Sequence, residues 1–213
     1  MKIFESLYIL TNTYDNITYL SEIMLDNNLT MLNPDKAEIK KSIHYLALFK
    51  HSIIEACSFL EEYQNNFYPL AEVEFKERVL FVRKAAKPIV KKINEWKDLQ
   101  KIRNELIAHP WRSRKENEFT YTKLFTYNSP RTFMELQFLK TYLKMIVGLI
   151  EGEFHKELSV LPQYMRSIQP QLIPPQNNPE IFSEIILIVN EVNEICATHQ
   201  KKYKLDQKRL FGF

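Results

Sequence analysis

Glycine is nearly absent from this sequence, and its scarcity leaves little room for a fold built on many tight turns. Gly148, Gly152 and Gly212 are the three glycines among 213 residues. Long stretches between the prolines are rich in Leu, Ile, Lys and Glu, most of which favour helix over strand and turn. The sequence therefore predicts an all-α protein. It contains neither of the glycine-rich phosphate loops used by dinucleotide-binding and P-loop enzymes.

Composition places the chain among globular proteins with a sizeable core. Hydrophobic residues make up 45% of the sequence, and the formal net charge of +3 is too small to require a nucleic-acid partner by itself. Cys57 and Cys196 lie far apart in apolar contexts, which is typical of buried thiols in a reducing compartment. No apolar run predicts a membrane span, a signal peptide is not expected, and no cofactor motif is present. We therefore expect a cytoplasmic protein without a cofactor.

The spacing of apolar residues predicts an antiparallel bundle of about five to six helices in one domain, 1–213. The predicted helices cover residues 2–31, 34–67, 70–92, 93–108, 133–158 and 180–203. The core is expected over about 35–158, the last helix is an appendage, and Pro88 should kink or divide the third helix. Prolines between Pro162 and Pro179 predict an irregular connection before the last helix.

Two further expectations concern the core and one short interruption of the helical pattern. In the second and third helices, the residues predicted to face inward are Ile39, Ile43, Leu46, Ile53, Cys57, Leu60, Val73, Val79, Leu80, Val82 and Ile89. In the helix over 133–158, the predicted apolar stripe is Phe133, Leu136, Leu139, Leu143, Ile146, Val147, Ile150 and Phe154. Near 117–128, aromatic and polar residues alternate with the period of a strand, which predicts a small β-like insert.

The most chemically capable residues lie on the helix predicted over 93–108. At 100° per residue, Arg103 falls inside the apolar arc that contains Ile102 and Leu106. An arginine there must reach solvent, pair with a carboxylate or face a cleft, because it stays charged. Two interpretations remain open: a structural pair with a buried carboxylate, or an arginine at the mouth of a groove that receives phosphate.

His109 lies six residues after Arg103 and directly before Pro110. In a continuous helix it would be displaced from Arg103 by about 9 Å along the axis and about 120° around it, so the two side chains would not meet. Pro110 disfavours helical geometry at His109, which predicts that the helix ends there. A histidine in that position either transfers protons near neutral pH or caps helix carbonyls.

These residues carry a family resemblance. Arg103 and Asn104, followed after four residues by His109, match an Arg-polar-x(3–5)-His signature, and RNELIAHPW is similar to the HEPN superfamily of helical proteins, especially its abortive-infection and toxin-like members. The resemblance implies a metal-independent endoribonuclease, a toxin or antiviral effector, with a composite active site across a homodimer. It also implies that His109 is the general acid/base, that Arg103 binds the scissile phosphate, and that Asn104 orients one or the other.

Residues that flank the motif suit RNA binding without requiring it. The candidates are Lys97, Lys101, Trp111, Arg112, Arg114 and Lys115. Cations attract the phosphate backbone, and an indole ring stacks on bases. The same residues also fit a solvated loop, and Glu105, Glu116 and Glu118 dilute the basic patch.

Other functions stay open at this point. The resemblance also allows a catalytically inactive HEPN-like binding or dimerisation module that recognises a nucleotide, an RNA or a protein. A toxin is expected to have a neutralising protein partner, and a plain helical scaffold is a third possibility. His44 and His51 share a predicted helix face near Glu55, but two ligands from one helix do not complete a metal site, so no metal is expected.

Overall fold

The computed structural model describes residues 2–29, 39–108 and 126–168, together with Leu187, Asn190 and Glu194. Every regular element in these ranges is helical, which confirms the predicted all-α bundle. The helices are α1 (Lys2–Asp26), α2 (Ile39–Glu61), α3 (Val73–Ile93), α4 (Leu99–Ala108) and α5 (Phe133–Ile168), and a π-helical turn (Glu62–Asn66) extends α2. The chain divides into two compact units, Met1–Ser167 and Ile168–Phe213.

One hydrophobic core lies among α1 to α5. The apolar spacing of the first helix is satisfied by a single uninterrupted α1, and α5 buries the stripe expected of it. Residues of α5 with at most 4% exposure are Leu136, Leu139, Leu143, Ile146, Val147, Ile150 and Phe154. Burial of one such face per helix supplies most of the stability of a bundle.

Three apolar residues predicted to face the core are exposed instead. Ile43 is 60% exposed, Val73 84% and Leu80 48%. Each lies more than about 100° around its helix from the middle of the buried stripe. In α3 that stripe consists of Val79, Val82, Ala86 and Ile93. Apolar character alone did not identify the inward face, because these helices carry apolar residues on more than one side.

Two prolines lie inside helices. α3 continues from Val73 to Ile93 through Pro88, so of the two expected outcomes, a kink or a division, the division does not occur. α5 continues through Pro162 to Ile168, past the predicted end, and its non-helical residue is Phe154 (φ −115°, ψ 23°). Buried residues on both sides of Pro88 hold α3 in place, and this packing offsets the hydrogen bond that proline removes.

The helix that carries Arg103 begins at Leu99 rather than near 93, since residues 94–98 form turns. Asp98 sets this start. Its backbone N–H donates to the Asn128 carbonyl at 3.0 Å, and its Oδ2 accepts from the Asn128 N–H at 2.9 Å. Trp96, in the turn, packs against Tyr142 of α5 with a ring separation of 6.2 Å. Contacts distant in sequence therefore position α4.

Carboxylates cap two helices and tie α1 to the rest of the bundle. Glu72 accepts from the N–H groups of Lys2 and Ile3, which begin α1, at 2.8 and 3.3 Å. Glu135 accepts from the Thr132 N–H at 3.1 Å while its own N–H donates to the Thr132 hydroxyl, a capping box at the start of α5. These bonds satisfy N–H groups that a helix leaves without partners.

Two predicted elements fall largely outside the described residues. They are the aromatic insert near 117–128, described only from 126 onward, and the C-terminal helix over 180–203, described at three residues that are helical and exposed. Among the helices that the structure describes, none combines the length and the apolar character that crossing a bilayer requires.

Candidate functional site

α4 presents Arg103 beside the C-terminal end of α2. Leu99 and Ile102 are 5% and 2% exposed, and they anchor one side of α4 in the core. The Arg103 side chain is 23% exposed, so most of its stem is covered while part of the guanidinium reaches the surface. The prediction that Arg103 lies within the apolar arc of its helix is confirmed.

Within the described residues, the guanidinium of Arg103 is held by one ion pair. Its Nη1 donates to Oε2 of Glu61 at 2.9 Å, and the Glu61 side chain is 47% exposed. The partner is therefore a half-exposed carboxylate, not the buried one that the structural interpretation expected. The Arg103 Nε is buried and has no hydrogen-bond partner among the described residues. An exposed single-bonded pair of this kind contributes about 0–1 kcal/mol and is readily exchanged for another anion.

Cys57 lies one helical turn before Glu61, and it also joins α2 to α4, on the buried side of the Arg103–Glu61 ion pair. Its Sγ donates to the Leu99 carbonyl at 3.5 Å, which links α2 to the first residue of α4. Burial raises the pKa of Cys57 to about 12, and the nearby charge of Arg103 opposes that rise. The thiol is protonated at neutral pH and is a packing residue rather than a nucleophile, as the sequence predicted.

A cleft of about 540 Å³ opens next to this pair. We call it the Glu61 cleft; it is lined by Leu60, Glu61, Gln64, Asn65, Ile93, Asn94, Trp96, Lys97, Leu99 and Gln100. Four side-chain amides give it donors and acceptors for a polar ligand, and Lys97 supplies a cation. Leu60, Ile93 and Leu99 form its apolar floor. The cleft has the size and mixed character of a small-ligand or single-strand site.

The structure brings together only part of the predicted set. Lys97 lines the cleft that Glu61 also lines, and Asn104 is exposed beside Arg103 on α4. Lys101 is engaged elsewhere, since its Nζ lies 5.0 Å from the centre of the Tyr127 ring. The predicted residues His109, Trp111, Arg112, Arg114 and Lys115 lie outside the described residues, as does the prediction that Pro110 ends the helix.

Glu61 is the residue that sequence reasoning missed. It is separated from Arg103 by 42 positions and lies at the end of a different helix. Nothing in the local pattern of either helix predicts the pairing. The amides Gln64 and Asn94 were missed for the same reason, because only the packing of α2 against the turn after α3 makes them neighbours.

The described residues add no further ligand to the metal site considered on α2. His51 is 55% exposed and its Nε2 lies 3.3 Å from Oε1 of Glu55. In the part of the chain that the structure describes, no three His, Cys, Asp or Glu side chains converge to hold a metal ion.

Comparison of the chain with protein-family models, with curated proteins and with solved structures finds no match.

Proposed function

We propose that this protein is a metal-independent endoribonuclease of the HEPN type. The observation that carries the proposal is the state of Arg103: its side chain is mostly covered, and the carboxylate that binds it among the described residues is half exposed and lines a cleft. An arginine in this state is pre-positioned for an anion and can exchange Glu61 for a phosphate at small cost.

The proposed chemistry uses the 2′-hydroxyl of RNA as the nucleophile. His109 removes its proton, the 2′-oxygen attacks the adjacent phosphorus, and the bond to the 5′-oxygen of the next nucleotide breaks. The leaving oxygen takes a proton from an imidazolium, which gives a 2′,3′-cyclic phosphate and a free 5′-hydroxyl. Arg103 stabilises the charge that develops on the phosphate, and Asn104 orients the phosphate or the imidazole.

The proposal includes a homodimer. A straight helix would carry His109 about 9 Å along the axis from Arg103, too far for both to act on one phosphate. A second copy of the chain, facing the first across a two-fold axis, supplies the missing group. Sedimentation of the active protein measures its oligomeric state. Cleavage of RNA by a strict monomer would contradict this composite site.

The direct test is digestion of mixed RNA by the purified protein in the presence of EDTA. Arg103→Ala and His109→Ala are each expected to lower the cleavage rate by about 10²–10³-fold, the usual effect of removing a charge-stabilising donor or a proton-transfer group. Arg166→Ala and His155→Ala, which change exposed residues of α5, are the matched controls and keep the wild-type rate. Undiminished cutting in either motif variant rejects the assignment.

The same ion pair also favours a second candidate, a catalytically inactive HEPN-like binding or dimerisation module. In that case the ion pair between Glu61 and Arg103 stays formed, and the Glu61 cleft serves only to bind a ligand. The module predicts RNA or protein binding without a cyclic phosphate product, and end-group analysis of the incubated RNA separates the two candidates.

A further inference from the structure

A second cleft adjoins the first and carries a different charge. It has a volume of about 620 Å³ and lies between the π-helical turn and the second half of α3. We call it the α3 cleft. Its lining includes three cations, Arg83, Lys87 and Lys91, and no acidic residue among those described.

The three cations form a regular row. They are spaced four residues apart, so they lie on one face of α3 and span about 12 Å along its axis. In the described part of the chain none of them forms an ion pair, whereas the neighbouring Lys92 is bound to Glu95 at 2.6 Å. Three unneutralised charges on one face make the α3 cleft an attractive surface for a polyanion.

Tyr63 gives independent evidence that this cleft is built for a ligand. The residue is 2% exposed and lines the cleft, and its hydroxyl has no hydrogen-bond partner among the described residues. A buried hydroxyl is costly to leave without a partner, and a bound ligand is one group that can supply it. Burial raises the pKa of Tyr63 to about 12 while the charge of Arg83 opposes the rise, so the phenol is a neutral donor close to that cation. A phosphate oxygen bound by Arg83 would satisfy it.

The α3 cleft adjoins the Glu61 cleft, because Gln64 and Asn94 line both. Glu61, which lines the first cleft, is the residue that binds Arg103. We call the two adjoining clefts together the groove: the α3 cleft carries the cationic row, and the Glu61 cleft includes the partner of Arg103.

We propose that the phosphate backbone of single-stranded RNA runs along this groove, bound by Arg83, Lys87 and Lys91 and directed towards Arg103. The row extends about 12 Å along the helix axis, a length that suits successive phosphates of a strand better than a single phosphate group. The choice of RNA as the ligand rests on the proposed function. The groove adds to that function a binding surface that holds the substrate at a distance from the cleaved bond.

The test measures RNA binding without cleavage. A labelled single-stranded oligoribonucleotide is titrated against the full-length His109→Ala protein over a range of salt concentrations. Replacing Arg83, Lys87 and Lys91 together with Gln is expected to reduce the slope of log affinity against log salt by about 2, or about 0.7 for each phosphate that is no longer neutralised. The control replaces Lys144, Lys156 and Arg166, three exposed cations of α5, with Gln and keeps the slope.

Tyr63→Phe tests whether the Tyr63 hydroxyl binds RNA, because a purely structural role would change stability and not RNA affinity. Removing a hydroxyl that has no partner among the described residues leaves the unfolding midpoint unchanged or higher, yet RNA affinity falls by about threefold to tenfold. Equal slopes in the two triple variants, or an unchanged affinity in Tyr63→Phe, overturn the proposal. Binding of inorganic pyrophosphate that depends on Arg83, Lys87 and Lys91, with no change in RNA affinity, also overturns it and assigns the cleft to a small anion.

The two proposals fail in different ways. If the wild-type protein cuts no RNA but the slope depends on the cationic row, the groove stands and the ribonuclease assignment falls. If the protein cuts RNA and the row does not affect binding, the groove alone is rejected. If RNA does not bind at all, both are rejected.

Discussion

Two arginines of this protein are paired with glutamates in contrasting ways. Arg78 of α3 donates from Nη1 and Nη2 to both oxygens of Glu157 at 2.7 and 2.9 Å, and its guanidinium lies 4.3 Å from the centre of the Phe154 ring. Arg103 donates one bond to Glu61 and keeps a buried Nε without a partner among the described residues.

The carboxylates differ as much as the arginines. Glu157 is 13% exposed, whereas Glu61 is 47% exposed and borders a cleft. The Arg78 pair uses the guanidinium fork fully and clamps α3 to α5 next to the irregular turn at Phe154. Among the described residues, the Arg103 pair is a single hydrogen bond to a half-exposed carboxylate. An arginine–glutamate distance alone therefore does not separate a structural ion pair from one whose arginine can exchange its partner.

The largest effect that separates the two arginines is on stability. Arg78→Met is expected to lower the free energy of unfolding by about 2 kcal/mol, because it leaves the mostly buried Glu157 without its two charged bonds and removes the contact with Phe154. Arg103→Met is expected to stay within about 0.5 kcal/mol of the wild type. Urea denaturation of both variants measures this, with Arg166→Met as the control. A large loss in Arg103→Met would make its ion pair structural.

A pH titration of stability sharpens the same comparison. The hydrogen bond from Arg78 lowers the pKa of Glu157 in the folded protein. The stabilisation is thus complete above about pH 4.3, the ordinary value in an unfolded chain, and is lost as the pH falls through the lower folded-state pKa. Stability below about pH 4.3 should therefore fall more steeply in the wild type than in Glu157→Gln. Glu151→Gln, an exposed carboxylate of the same helix, is expected to keep the wild-type slope, and a reduced slope there would break the assignment to Glu157.

The smallest expected effect concerns Glu61 itself. If Glu61 competes with phosphate for Arg103, then Glu61→Gln should raise the affinity of the His109→Ala protein for single-stranded RNA by roughly two- to fivefold. Glu151→Gln removes the same charge elsewhere and serves as the control in an equilibrium binding assay at fixed salt. An equal gain in both variants would reveal only a change in net charge, and no gain would mean that the two anions do not compete.

Local pattern was sufficient for much of the fold. The period of 3.6 residues identified the buried stripe of α5 from Leu136 to Phe154, and the rarity of glycine excluded a turn-rich fold. Pattern failed where packing opposed it. Pro88 and Pro162 continue their helices because neighbouring residues are buried, and Ile43, Val73 and Leu80 are exposed because their helices have other apolar faces to bury.

The candidate site divides in the same manner. Sequence located Arg103 on the covered side of its helix, since the angle of a residue around a helix is a local property. It could not identify Glu61, which lies 42 positions away, nor the joint position of Tyr63 and the cations of α3. The row of Arg83, Lys87 and Lys91 was readable from its spacing of four residues, but the sequence could not show that no described carboxylate pairs with these cations.

Local sequence was enough to predict that the fold is helical, which stripe of α5 is buried and where Arg103 lies around α4. These properties depend on residues within a few turns of one another. Only the tertiary structure decided where α4 begins, which carboxylate holds Arg103 and how two clefts meet at Gln64 and Asn94. Those features depend on helices that contact one another across long separations in sequence, and the free energy that selects such contacts belongs to the packed core as a whole.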